Sequence, residues 1–239
     1  EISVYAWTGD ATVAPETRER VVNNAINKLT NGSWVSTPQM LWKNNRDKHY
    51  FIGVYPTAAI SDLSAGEYTF DETKQVESDL LVAVNKDGLS YNVDEQQTVP
   101  LTFTHVMAKL VVNLTYKNQW GGIPTVEKVV VGNAAKEATI NYLTKVVTPS
   151  TTAKEDFSLP EITENTKYVS VIIPQEDVKQ LTIVIGGKNF VYDNGTPFKL
   201  ESGKITTVNL EVGRDEIKLG DVKITDWENG STFSGEALN

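Results

Sequence analysis

Val99-Pro-Leu-Thr-Phe-Thr-His-Val-Met-Ala-Lys-Leu-Val-Val-Asn-Leu-Thr-Tyr116 decides the fold class. Leu101 and Phe103 alternate with Thr102 and Thr104. After His105, Ala108, Leu110, Val112 and Leu114 alternate with Lys109, Val111, Asn113 and Thr115. A period of two means extended chain with one face buried. An average strand ends after about five or six residues, and this run continues well past that. The reading is a chain that leaves one sheet near His105 and enters a second by Ala108. Burying each of Leu110, Val112 and Leu114 contributes about 1.5–3 kcal/mol, enough to anchor a core.

Downstream, strand signals recur with turn chemistry between them: Val126 to Val131, Glu137 to Val147, Tyr168 to Ile173, Leu181 to Ile185, Lys188 to Tyr192, Ile205 to Val212 and Val222 to Trp227. Gly186-Gly187 between two of them is a hairpin signal. Upstream, Glu1 to Trp7 alternates, with Ile2, Val4 and Ala6 on one side and Ser3, Tyr5 and Trp7 on the other. Ser33 to Val35, Gln39 to Trp42, His49 to Tyr55, Glu67 to Phe70 and Asp79 to Val84 read as further strands. Pro15 to Thr30 reads differently. Pro15 suits a first helical turn, Val22, Ala25, Ile26 and Leu29 fall at i, i+3, i+4 and i+7, and Asn31-Gly32 suits a helix stop. The expectation is one short amphipathic helix in an otherwise all-β chain. Strands spaced this closely predict β-sandwich modules. A split near His105 gives an N-terminal sandwich over 1–105 and a C-terminal one over 106–239.

Composition narrows the function. The 239 residues carry a net charge of −9 and include no cysteine. No thiol nucleophile, disulfide or thiolate metal site can form within them. Nucleic acid is not an expected partner, because phosphate binding needs concentrated Lys and Arg. No apolar run reaches the roughly 18 residues of a membrane-spanning helix.

Catalytic constellations are equally scarce. His49 and His105 each lie on a strand-like run without a second histidine at ligand spacing, which favours structural roles. The adjacent carboxylates Asp71-Glu72, Asp94-Glu95, Glu155-Asp156, Glu176-Asp177 and Asp215-Glu216 sit at turns and read as solvated surface. Asp193-Asn194 lacks the ligand spacing of an EF-hand loop. Trp34, Trp42, Trp120 and Trp227 are conceivable ligand platforms, and packing suits each better. The expectation is therefore no enzyme, no catalytic residue, no metal and no cofactor.

One ordered set of motifs carries a resemblance: F-I-G-V-Y-P (51–56), S-D-L-L-V-A (78–83), L-T-F-T-H-V-M-A-K-L-V-V-N-L (101–114), V-I-I-P-Q (171–175), L-E-S-G-K-I-T-T-V-N-L (200–210) and I-T-D-W-E-N-G (224–230). In order and spacing the chain resembles the fimbrillin-like pilins of Bacteroidetes. That resemblance implies two tandem transthyretin-like β-sandwiches and a structural subunit, accessory or tip-like, of a surface fimbria. It also implies a lipoprotein precursor of the outer membrane, anchored upstream of Glu1, from which a protease removes a first strand. A strand from another pilin subunit then fills the groove. The positions expected to bear on strand exchange are Ile2, Val4 and Ala6 beside the groove, and Val222, Ile224 and Trp227 on the terminal strand. The alternative is a surface adhesin or glycan-binding module, with a host or bacterial surface ligand, that does not polymerise.

Overall fold

The structure is a computed structural model that describes residues 1–92 and 98–227, and the backbone of 233–236. Its first half contains β1 (Ile2–Thr8), β2 (Val22–Thr30), β3 (Ser33–Thr37), β4 (His49–Tyr55), β5 (Gly66–Thr69), β6 (Leu81–Leu89), β7 (Thr98–Leu101) and β8 (Thr104–His105). The second half continues with β9 (Ala108–Tyr116), β10 (Val126–Ala135), β11 (Glu137–Asn141), β12 (Val146–Pro149), β13 (Lys154–Ser158), β14 (Glu161–Thr163) and β15 (Lys167–Ile172). It closes with β16 (Gln180–Ile185), β17 (Lys188–Asp193), β18 (Lys204–Val212), β19 (Ile217–Asp226) and β20 (Phe233–Glu236). The chain is all-β, as the periodicity predicts.

The decisive stretch behaves as read. β8 pairs with β6 at the end of a six-stranded sheet ordered β3-β2-β1-β4-β6-β8. Two residues later β9 enters a five-stranded sheet ordered β14-β15-β9-β18-β19. There it runs antiparallel to β15 and parallel to β18. Leu110, Val112 and Leu114 are buried, together with Val208 and Leu210 of β18. They share one cluster with Val129, Val131, Leu181 and Ile183 of a four-stranded sheet ordered β13-β10-β16-β17. Two apolar faces excluding water from each other supply the cohesion of the second half.

The six-stranded sheet is apolar on both faces, because alternate residues of β1 feed different clusters. Tyr5 and Trp7 join the large cluster that continues into the second half. Ile2, Val4 and Ala6 join a separate one with Val22, Ala25, Phe51, Val99, Leu101 and Phe103. The halves are further tied by β5, which pairs with β11 in a three-stranded sheet ordered β12-β11-β5.

The amphipathic helix expected over Pro15 to Thr30 does not form. In its place stand a short 3-10 turn at Thr17–Glu19 and then strand β2 from Val22. The misleading spacing comes from a β-bulge. Val4 pairs with Ala25 and Ala6 with Val22, so two residues on β1 face three on β2. Asn24 takes a positive φ of 57° at the extra position. A bulge thus turns a period of two into a gap of three and imitates one helical turn. The composition agrees with the strand: Asn23, Asn24 and Asn27 are poor helix formers, and Val22 and Ile26 are β-branched. Asn31-Gly32 is the hairpin turn joining β2 to β3, both residues at positive φ and Thr30 opposite Ser33. Gln39 to Trp42 is loop rather than strand.

Candidate functional site

Two surfaces and one junction carry the residues singled out above. The first surface is the outer face of the six-stranded sheet. Ile2, Val4 and Ala6 are buried there, in a strand paired on both sides by β2 and β4. They form floor rather than edge. The cover over this broad sheet is thin. It consists of β7, four residues long, which is paired antiparallel with the four-residue β20. Gly53 of β4 makes the close approach of the cover possible. A Cβ at that position would lie 2.7 Å from Cζ of Phe103 and 3.1 Å from Cδ1 of Leu101. Trp34, Met40 and Trp42 are only partly buried around this cluster.

The junction is where the chain changes sheets. His105 Nδ1 lies 2.8 Å from Asp79 Oδ1. The imidazole stacks on Trp227, with ring centroids 3.8 Å apart and planes within 7°. Lys109 Nζ stands 5.2 Å from the Trp227 ring, and the Trp227 amide donates to the Gly203 carbonyl at 2.9 Å. Trp227 therefore closes the end of β19 against the turn between the two sheets. Stacking of this kind contributes about 0.5–1.5 kcal/mol beyond area burial. The local pattern around His105 points to a structural role but holds no trace of its partners Asp79 and Trp227, which lie far from it in the chain.

The second surface is β19 itself, the edge of the five-stranded sheet. Val222 and Ile224 lie opposite the buried Val208 and Thr206 of β18, yet each remains 39% exposed. The structure thus separates the expected assembly residues into two groups. Ile2, Val4 and Ala6 lie under β7, whereas Val222 and Ile224 lie on the far sheet, with Trp227 at the junction.

The remaining candidates resolve into structure. His49 is buried, its Nε2 accepting the Lys43 amide at 3.0 Å and its Nδ1–H donating to the Asp47 carbonyl at 3.1 Å. Burial holds its pKa below the usual histidine value. Trp120 is no open platform. Its indole donates to the Val212 carbonyl at 3.0 Å, its ring packs on Phe190, and Arg214 lies over it. Glu72 pairs with Lys136, Asp177 with Lys154, and Glu216 with Lys117. Asp94-Glu95 lies outside the described residues. No group of three or more metal-ligating side chains occurs among the described residues. One feature the sequence did not signal is an open cleft of about 760 Å³ whose lining includes Trp7, Asp10, Arg18, Leu41, Trp42 and Lys43. Its wall includes Arg20, which is buried, donates to the carbonyls of Ile60 and Ser61, and lies over the Tyr5 ring. Burial lowers the pKa of that guanidinium.

Comparison with known proteins gives this architecture a family. The chain resembles a candidate cell adhesion protein from Bacteroides uniformis, with a TM-score of 0.72 and 19% identity, over 95% of this chain and 91% of the other. A fimbrial protein from Bacteroides vulgatus aligns with a TM-score of 0.60 and 12% identity, over 95% and 93%. The tip fimbrial protein Mfa3 from Porphyromonas gingivalis, truncated at its C-terminus, aligns with a TM-score of 0.58 and 10% identity, over 95% and 93%. At these identities the likeness is one of fold. No curated protein sequence matches significantly. The sequence profile of the fimbrillin-like family, by contrast, matches residues 1–227, nearly the whole chain, and this protein belongs to that family.

Proposed function

We propose that the chain is a structural subunit of a bacterial surface fimbria, accessory or tip-like, that joins other pilin subunits by strand addition. In this reading residues 1–105 and 106–239 act as tandem transthyretin-like modules. The observation that carries it is the thin cover of the six-stranded sheet. A floor containing Ile2, Val4, Ala6, Val22 and Phe51 lies beneath two strands of four residues each. An extended segment added beside β7 would pair with its backbone and bury alternate side chains against that floor in one step. Subunits joined head to tail in this way do not close on themselves and grow into a filament. Membership of the fimbrillin-like family supports a site in a cell-surface appendage. The lipid anchor and the strand removed by proteolysis would belong to sequence preceding Glu1.

The test is to treat the full precursor with an arginine-specific protease and follow its mass. A cleavage-dependent ladder of multimers is expected, and blocking the β7 edge with Val99→Pro should abolish it. Stable monomers under every cleavage condition would overturn the proposal.

A second reading, an adhesin that does not polymerise, draws on the cleft beside Trp42. Its volume falls within the range of small-ligand sites, about 300–1,000 Å³. Glycan binding that disappears in Trp42→Ala, in a chain that stays monomeric after cleavage, would favour it.

A further inference from the structure

The longest free edge among the described residues is β19. Its ten residues compare with six at β17, five at β3 and β13, four at β5, β7, β12 and β20, three at β14 and two at β8. Every residue of β19 beyond Ile217 is exposed. Edges of this length are usually shortened, bulged away or covered, because a row of unpaired N–H and C=O groups recruits another strand. β19 carries one bulge, at Gly220, and runs in unbroken register with β18 from Asp221 to Asp226. Here the apolar side chains of the strand are also left bare. Leu219, Val222 and Ile224 continue the core face of β18, opposite Leu210, Val208 and Thr206, but remain 37–39% exposed.

The charges along the strand indicate which partner fits. Asn113 donates to Asn209 at 2.7 Å, and Asn209 donates to Asp221, so a polar ladder crosses the outer face and stops at the edge. Lys223, two residues further on, has no ion-pair partner among the described residues. Laid antiparallel against a second copy about a two-fold axis at Val222, the sequence is complementary to itself. Asp221 meets Lys223 of the other copy, Lys223 meets Asp221, and Val222 meets Val222. Ile224 falls opposite Gly220, which has no side chain to obstruct it. Two reciprocal ion pairs then flank an apolar centre, and each polar ladder ends on a lysine of the other copy.

We propose that β19 is an isologous interface through which two copies of this chain pair edge to edge, joining their five-stranded sheets into one. A two-fold contact of this kind closes on itself. It makes dimers of free subunits, or ties two filaments side by side, and it does not depend on strand addition at β7.

The chain has no cysteine, so one introduced thiol reports the register directly. Directly opposed residues in an antiparallel pair have Cα atoms about 4.5–5.5 Å apart, within the span a disulfide bridges. Val222→Cys is expected to cross-link as a dimer under mild oxidation. Ile123→Cys, in a loop and more exposed at 64% against 39% for Val222, is expected to stay monomeric under the same conditions. Lys223→Asp, at the surface, should slow the cross-link by about tenfold by placing like charge against Asp221. Adding Asp221→Lys should restore it. Sedimentation of the unmodified, uncleaved chain should show a concentration-dependent dimer. A monomer at all concentrations, a cross-link no faster than that of Ile123→Cys, or indifference to Lys223→Asp would overturn the proposal. A ladder of higher multimers that appears only after cleavage would report the β7 contact instead.

Discussion

Replacing Gly53 with alanine tests whether the cover over the N-terminal sheet is seated as described. The new methyl carbon would lie 2.7 Å from Cζ and 3.2 Å from Cε1 of Phe103, and 3.1 Å from Cδ1 of Leu101. Carbon atoms in contact sit about 3.5–4.0 Å apart, so the Phe103 ring must retreat by about 1 Å. Overpacking of this kind costs about 1–3 kcal/mol. Alanine in a strand recovers about 0.5–1 kcal/mol of backbone entropy relative to glycine. Taken at mid-range, the net expectation is a loss of about 1 kcal/mol. For a chain of this size that lowers the melting temperature by about 2–4 °C. The strain should be local, so amide exchange should accelerate across Thr98–Leu101 before it does in β9. Because the nearest atom belongs to the Phe103 ring, Phe103→Leu should relieve the clash. In that background Gly53→Ala should be neutral or stabilising, giving a coupling of about 1–2 kcal/mol in a double-mutant cycle. Melting by calorimetry of the four variants decides the matter. A Gly53→Ala variant that melts at or above the parent, or one equally destabilised in both backgrounds, would refute the seating of β7 on β4.

Three further outcomes follow from the packing and titration. His49 is held neutral by an amide donating to its Nε2, and burial lowers its pKa, so below about pH 6.5 the unfolded chain binds a proton that the fold refuses. Its contribution is therefore complete above that pH and declines as pH falls toward the depressed folded value. His49→Gln should flatten that part of a stability-versus-pH profile, as read by denaturant melts at several pH values. Val112→Asp places a charge at a fully buried position of β9 and should cost more than about 4 kcal/mol, abolishing the cooperative melt of the second half. Trp227→Ala removes the stack on His105 and the Lys109 contact, worth about 1–2.5 kcal/mol together, and should speed exchange at the His105 amide more than at Val208.

The architecture was legible where period and turn chemistry acted locally. The stretch from Leu101 to Leu114 marked its own change of sheet, and Gly186-Gly187 marked a hairpin that the structure contains. The spacing over Pro15 to Thr30 imitates a helix because a bulge at Asn24 changes the interval between the inward residues. The Asn-Gly pair that followed signalled a hairpin more strongly than a helix end. Ile2, Val4 and Ala6 were correctly placed on one face, but local pattern does not say that neighbours would flank them on both sides. The pairing of β5 with β11, and the partners of His105, depend on contacts between distant segments that leave no local trace. Val222 and Ile224 alternate like any strand, and only the sheet order shows that no strand among the described residues pairs beyond them.

The parallel alignment of β9 with β18 sets a timetable for how the protein is made. Asn113 and Asn209, neighbours in that pairing, are separated by 96 residues of chain. Such distant pairings are slow to form, since the entropy of closing the loop is spent before any contact returns it. A ribosome that has released β9 must therefore deliver nearly another hundred residues before that strand can find its neighbour. β15 and the facing strands β10 and β16 arrive earlier, so what stays open through that interval is one backbone edge of β9, a row of N–H and C=O groups that any other extended chain could take up.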